Sequence, residues 1–292
     1  MNPYISDPIH IPKTDPYADI PFYGRYFPRP VDFRIDIQHV NSSSEESLQY
    51  WATVIGLCTE SNMIYPADEN EGRDVFAVGS IIVKSSHRHQ HARIDYSYAD
   101  ANEVEAIAIA RSVLEGVRVP DIYFAGKING RPVLAQERLP GVCLNVAWPY
   151  LSEDQKKSFK SQAREILGQL HAIKAPSNRQ TRDHVVTDPN ILTNGRLNPR
   201  EAHILFSANI DQDMSFMHND FTPSNCIVSN DGIVGLIDWE MAGYFGWSTA
   251  REVHERIRYP QREHYIRAKL SEEELQSIMW WNDLYDNSLL QA

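Results

Sequence analysis

The segment Met217-His218-Asn219-Asp220-Phe221-Thr222-Pro223-Ser224-Asn225 restricts what the chain can fold into more than any other stretch. It carries an H-x-D-x-x-x-x-N spacing, and Asp238 follows thirteen residues after the Asn, in Gly235-Leu236-Ile237-Asp238-Trp239-Glu240. Residues between Asn225 and Asp238 read as a strand, a turn at Asp231-Gly232 and a returning strand. Such a hairpin sets the Asn amide beside the second Asp. Four fixed residue types at about one in twenty each, over about 280 starts, match by chance with a probability of order 10⁻³ to 10⁻².

Phosphoryl transfer calls for this set of groups. One carboxylate accepts the proton of the attacking hydroxyl or orients it. An amide oxygen and a second carboxylate hold Mg²⁺, which neutralises charge on the transferring phosphate. Two further features agree. Lys84 ends the apolar run Ile81-Ile82-Val83, a position from which an ammonium can reach nucleotide phosphates. On the next expected helix, Glu103 shares a stripe with Ile107, Ala110 and Leu114. A carboxylate on that buried face needs a partner, and Lys84 is available. Glu105 falls off the stripe and reads as solvated.

The rest of the chain supplies the frame. Seven of the 17 prolines lie in residues 1–30, which reads as an extended arm anchored by Tyr17, Phe22, Tyr23, Tyr26 and Phe27. Ser44-Glu45-Glu46 opens a helix from about Glu45 to Leu57, with capping-box spacing. Arg73–Val78 and Ile81–Lys84 flank Gly79-Ser80 as a hairpin, and a helix from Asp100 to about Leu114 follows. Strands are expected at Asp121–Ala125 and Pro132–Gln136, an amphipathic helix over Ser152–Ile173, and a capped helix from Ser271. The polar stretch 176–215 is too long for a plain loop, so it reads as an insertion or a functional segment.

Composition removes several function classes. With 28 basic and 39 acidic residues, the net charge of −11 disfavours a nucleic-acid surface. No run of about 18 apolar residues is present, so no membrane span is expected, and no secretory signal opens the chain. Cys58, Cys143 and Cys226 are scattered and odd in number, which suits a reducing, cytoplasmic setting. His87, His89 and His91 alternate and would share a face on a strand, where they could bind a metal; the alternatives are a polar loop or a segment over the nucleotide phosphates. Trp280, Trp281, Trp247 and Tyr285 could line an acceptor pocket or pack the core, and Glu240, Asp283 and Asp286 could meet an amine or simply face solvent.

These residues together resemble the aminoglycoside phosphotransferase family, specifically its fungal members. The resemblance covers about residues 70–290 and rests on Ile82-Val83-Lys84, Asn102-Glu103, Val119–Tyr123, Gln136–Gly141, Leu170-His171, His218–Asn225 and Ile237–Gly243. It implies an α+β, two-lobed protein-kinase-like fold, with an antiparallel N-lobe sheet plus helix and a mostly helical C-lobe. The divisions would be an extended arm over 1–40, a nucleotide-binding N-lobe over 41–138, and a catalytic, acceptor-binding C-lobe over 139–292. The resemblance implies ATP as donor, Mg²⁺ as cofactor and a small-molecule hydroxyl as acceptor. Lys84 would bind the α/β-phosphates and Glu103 would hold it. Gln136, Glu137, Arg138 and Leu139 would form the inter-lobe hinge, whose backbone pairs with the base. Asp220 would be the catalytic base, His218 would support its loop, and Asn225 and Asp238 would hold magnesium.

Three departures stand out. Asn219 occupies the place of a family Gly, and Asn tolerates a left-handed backbone. No Arg precedes Asp220, which argues against control through a phosphorylated activation loop. No Gly-rich loop covers the phosphates, Val78-Gly79-Ser80 being only a tight turn. With 54 residues after Asp238 and no Ala-Pro-Glu, the acceptor is expected to be a small molecule, not a protein. The rival readings are a non-catalytic binding protein that kept the fold, and a metal-dependent hydrolase built on the histidines.

Overall fold

The computed structural model describes residues 4, 10–67, 72–89, 94–207, 213–265, 268 and 270–286. Alternation along the strands explains the first lobe. Strands β2 (Met63–Tyr65), β3 (Asp74–Val78) and β4 (Ile81–Ser85) are followed by helix α2 (Ser97–Arg111), then β5 (Ile122–Ile128) and β6 (Arg131–Glu137). They form an antiparallel sheet in the order β2-β3-β4-β6-β5. Phe76, Val78, Ile81 and Val83 fall on one face, where they pack with Trp51 and Val54 of α1 (Glu45–Gly56). Trp51 is fully buried, stacks on Phe124 at 5.3 Å, and donates its indole N–H to His39 O at 3.0 Å. The period of two sends Val75, Ile82, Lys84 and Gln136 to the other face.

The helix starts follow local polar chemistry. The Ser44 hydroxyl caps α1 through Ser47 N–H at 3.2 Å, but the third helical residue is Ser, so no reciprocal capping box forms. Helix α2 begins three residues before the expected start, because Asp95 accepts from the Ser97 N–H at 2.9 Å. It also ends three residues earlier, at Arg111.

The chain leaves the first sheet through Arg138-Leu139-Pro140. It enters β7 (Gly141–Cys143), α3 (Leu144–Ala147) and α4 (Glu153–His171). Ser152 and Gln155 close a reciprocal capping box on α4, and its stripe of Phe159, Ala163, Ile166, Leu167 and Leu170 is buried. Residues 176–215 contain α5 (Pro199–Phe206), which contacts α6 (Trp247–Val253). Strands β8 (Phe216–Met217) and β11 (Gly243–Tyr244) pair, while β9 (Cys226–Ser229) and β10 (Gly232–Leu236) form the expected hairpin. Its turn lies one residue earlier than expected, at Asn230-Asp231, where φ is +47° and +65°. A last helix, α7 (Glu272–Met279), is capped by Ser271 and Glu274.

The N-terminal segment is bound to the body of the protein. Its strand β1 (Arg25–Tyr26) pairs with β7, completing a sheet of order β1-β7-β9-β10. Phe33 O accepts from Ser80 N–H at 2.9 Å, and Asn41 N–H donates to Tyr123 O at 2.8 Å. Among the described residues, no helix is long and apolar enough to cross a membrane. All three cysteines are buried and unpaired with one another.

Candidate active site

The loop between β8 and β9 is shaped from within. Asn219 takes φ +61°, the left-handed conformation that the substitution for Gly requires, and its side-chain amide donates to Met241 O at 2.9 Å. His218 is fully buried. Its Nδ1 accepts from Asp220 N–H at 3.2 Å, so the proton sits on Nε2, which donates to Ile237 O at 3.1 Å. Burial pushes this imidazole down to about 4, keeping it neutral. One uncharged ring thus ties the Asp220 loop to the end of β10.

A bulge between Ile233 and Gly235 lets β10 finish so that Ile237 N–H donates to Asn225 O at 3.0 Å. Asp238 follows with φ +66°, and it lines the same cleft as Asn225. Asn225 donates Nδ2 to Asp220 O at 2.9 Å and to Asp220 Oδ2 at 3.1 Å, and no described residue donates to its Oδ1.

Lys84 bridges the lobes. Its Nζ lies 2.7 Å and 3.0 Å from the two Glu103 oxygens and 2.6 Å from Asp238 Oδ1. Burial opposes the ammonium charge, but the Asp238 and Glu103 carboxylates outweigh it and hold the Lys84 pKa above its ordinary value. Burial pushes Glu103 up, and Lys84 offsets part of that. The stripe argument for Glu103 agrees with this contact.

Two ionic clusters were not legible in the sequence. Arg258 closes a π-helical turn, His254–Arg258. Its Nε lies 3.0 Å from Asp220 Oδ1, and its other nitrogens pair with Glu201 of α5. Burial pushes Asp220 up to about 6, against the pull of Arg258. Arg258 sits in a run of alternating charges that reads as an ordinary solvated helix, which is why it escapes notice. Arg73, just before β3, pairs with Asp100 of α2 and lies 2.7 Å from Glu240 Oε2. Burial opposes the Glu240 charge, yet Arg73, Lys84 and Arg196 hold its carboxyl down at about 2. In the sequence Glu240 stands two residues after Asp238 and reads as a group for an amine or for solvent, with no signal that links it to Arg73.

Arg73, Lys84, Asp220, Asn225, Asp238 and Glu240 line one cleft of about 520 Å³, together with the hinge residues Gln136, Glu137, Arg138 and Leu139. Amide and carboxylate oxygens are the donors a hard cation takes, so the Asn225 Oδ1 and Asp238 pair fits magnesium. Carboxylate oxygens of Glu103, Asp238 and Glu240 also approach within 4.8 Å of one another. On the hinge, Glu137 N–H donates to Asp121 O at 2.8 Å and Arg138 N–H to Ser80 O at 3.0 Å. Those two N–H groups therefore bind the protein itself. The Arg138 side chain donates to Phe22 O and Arg25 O at 2.8 and 2.9 Å and covers the Tyr26 ring. Gly79-Ser80 meets the hinge and Phe33, far from a phosphate-covering role; Ala67, Gly72 and Arg73, between β2 and β3, line the cleft.

The other candidates lie elsewhere. His87 meets Ser85 and Cys58 O, His89 meets Asp74, and His91 lies outside the described residues. Trp247, Trp281 and Tyr285 are buried in the C-lobe core, and Lys160 covers Trp280. Glu240 is held by Arg73, and Asp283 pairs with Lys160 and Arg164.

The sequence model described as the phosphotransferase enzyme family matches residues 68–245, more than half of the chain. No curated protein matches it. Among solved structures, the chain is similar to the streptomycin–ATP ternary complex of APH(2")-IIa, at 16% identity and a TM-score of 0.44, covering 87% of this chain and 97% of that one. It is also similar to a thermostable mutant of aminoglycoside phosphotransferase APH(4)-Ia, at 14% and 0.46, covering 80% and 81%. A third is the macrolide 2'-phosphotransferase MphH from Brachybacterium faecium, at 15% and 0.41, covering 72% and 77%. The chain thus belongs to the phosphotransferase enzyme family, on a two-lobed, kinase-like α+β fold.

Proposed function

We propose that the protein transfers the γ-phosphoryl group of ATP to a hydroxyl of a small molecule, with magnesium. The observation that carries this reading is the meeting of Lys84, Asp220, Asn225 and Asp238 in one cleft. Asp220 takes the hydroxyl proton as the acceptor oxygen attacks phosphorus and the bond to the ADP oxygen breaks. Asn225 and Arg258 each hold one Asp220 oxygen, which fixes the carboxylate for that role. Lys84 meets the α/β-phosphates, with Glu103 keeping it in place. Asn225 Oδ1 and Asp238 would hold the magnesium, which when bound neutralises phosphate charge. Asp238, whose Oδ1 meets Lys84 at 2.6 Å, would loosen that contact to hold the cation. We place this activity in the cytoplasm, where ATP is available.

The test incubates purified protein with radiolabelled Mg²⁺-ATP or Mg²⁺-GTP and a panel of hydroxylated metabolites. Label transfer that is lost in Asp220→Asn, with nucleotide binding retained by calorimetry, is the expected result. Transfer that survives in Asp220→Asn removes the base assignment. A well-folded protein that binds neither nucleotide removes the phosphotransferase reading and favours a non-catalytic binding protein.

A further inference from the structure

We propose that the N-terminal segment is part of the nucleotide site, with Phe22–Tyr26 forming the wall that holds the base and ribose of the donor. This rests on the phosphotransferase reading, since a nucleotide must fill the cleft. The segment lies wholly before the family-matched span, which begins at residue 68. All five residues nevertheless line the same cleft as Lys84 and Asp238.

Contacts group the lining of the cleft. Lys84 meets Asp238 at 2.6 Å and Asn225 meets Asp220 at 3.1 Å, a charged end that suits a triphosphate. Gln136 and Leu139 of the hinge lie with Phe22–Tyr26 among the remaining walls. A nucleotide with its phosphates at the charged end presents its nucleoside to these residues.

This wall is built, not draped. Gly24 O accepts from Cys143 N–H at 2.7 Å, and β1 continues that pairing. Tyr17 and Tyr23 stack at 5.0 Å, and Asn145 donates to their hydroxyls at 3.0 and 3.3 Å. Arg25 is fully buried and meets Asp15 at 2.6 Å, while Tyr150 donates to the same Asp15 oxygen at 2.5 Å. Arg138 and Ser80 hold the segment to the hinge side. The segment therefore grips both lobes, which preorganises the wall.

Unmet hydrogen-bonding capacity is an independent pointer. Among the described residues, Arg25 Nε and Nη1 have no acceptor, and buried Gln136 Oε1 has no donor. Native interiors seldom leave such groups unpaired. A base edge with donors and acceptors, and a ribose with hydroxyls, supply both kinds of partner.

Calorimetry with adenosine, ADP and Mg²⁺-ATP, repeated with the guanosine series, tests this on the full chain. The variants are Tyr23→Ala and Arg25→Lys, the latter keeping a cation opposite Asp15. Each should weaken all three members of the preferred series by one common factor of about tenfold, the order of a lost base–aromatic contact. Lys84→Ala should instead weaken ATP far more than adenosine. Unchanged affinities in both variants, or losses confined to the triphosphate, overturn the proposal. Photolabelling of wild type with an 8-azido nucleotide needs no variant to fold. Label within residues 17–27 that ATP competes away supports the wall, and label confined to other peptides overturns it. Wild type that binds no nucleotide sinks both readings; wild-type binding that Tyr23→Ala and Arg25→Lys leave intact sinks this one alone.

Discussion

Acidification should destabilise the fold through His254, the first residue of the π-helical turn that delivers Arg258 to Asp220. The imidazole is 1% exposed, and its Nε2 donates to Trp281 O at 2.9 Å. Among the described residues Nδ1 has no partner, and Tyr259 and Tyr285 pack on the ring. Burial pushes the pKa from 6.5 to about 4, with Arg258 adding to the fall and Asp283 opposing it. Between those values the unfolded chain binds a proton that the folded chain refuses. The His254 contribution is therefore complete well above pH 6.5 and is lost progressively as pH falls from there to about 4. At 1.36 kcal/mol per unit, the loss is about 2 kcal/mol at pH 5 and approaches about 3 kcal/mol below pH 4. His218 carries a similar dependence, so a variant at one site keeps the other's share. Urea unfolding of wild type and His254→Gln at pH 8 and pH 5 checks the reasoning, since Gln can still donate to Trp281 O but does not titrate. The stability drop between the two pH values should be about 2 kcal/mol smaller in the variant. Equal drops would show that His254 is not held neutral by burial.

Lys84→Ala and Asp238→Ala should each weaken Mg²⁺-ATP binding by tenfold or more, about 1.4 kcal/mol, and only the Asp238 change should abolish the magnesium dependence in calorimetry. Arg73→Ala leaves buried Asp100 without its cation, so unfolding free energy should fall by about 3–5 kcal/mol in urea titration; a loss under 1 kcal/mol would mean Asp100 is neutral. Gly79→Ala would place a Cβ 2.4 Å from Phe33 N at φ +56°, so the melting temperature should drop and residues near Phe33 become protease-sensitive. An unaltered melting temperature would mean that Phe33 yields at no cost.

Legibility in the sequence tracked the range of the interaction. The Asp220, Asn225 and Asp238 set was readable because a short hairpin brings its members together, and hairpins have local signals. The Lys84–Glu103 contact was readable because helical periodicity placed a carboxylate on a buried face, where it must find a partner. Arg258 and Glu201 meet across 57 positions, and Arg73 and Glu240 across 167. No periodicity links such pairs, and each residue alone looks like a solvated charge. The arm illustrates the same limit. Its prolines and aromatics announced an extended anchored segment, but not that the anchor point was the hinge. The displaced hairpin turn had a local cause: Asn and Asp both accept positive φ, so the turn did not need Gly232 at its centre.

The cross-lobe grip of the N-terminal segment bears on how the protein can be divided. Sequence similarity draws a border at residue 68, but the folding unit ignores it. A fragment trimmed to that border would lose Trp51 from the packing beneath the N-lobe sheet and bare the paired edge of β7. It would also strand the Arg138 guanidinium, whose carbonyl acceptors at Phe22 and Arg25 come from the missing piece. An open strand edge next to an apolar face invites association between copies. Such a fragment should aggregate on expression, and the shortest soluble version should begin before β1.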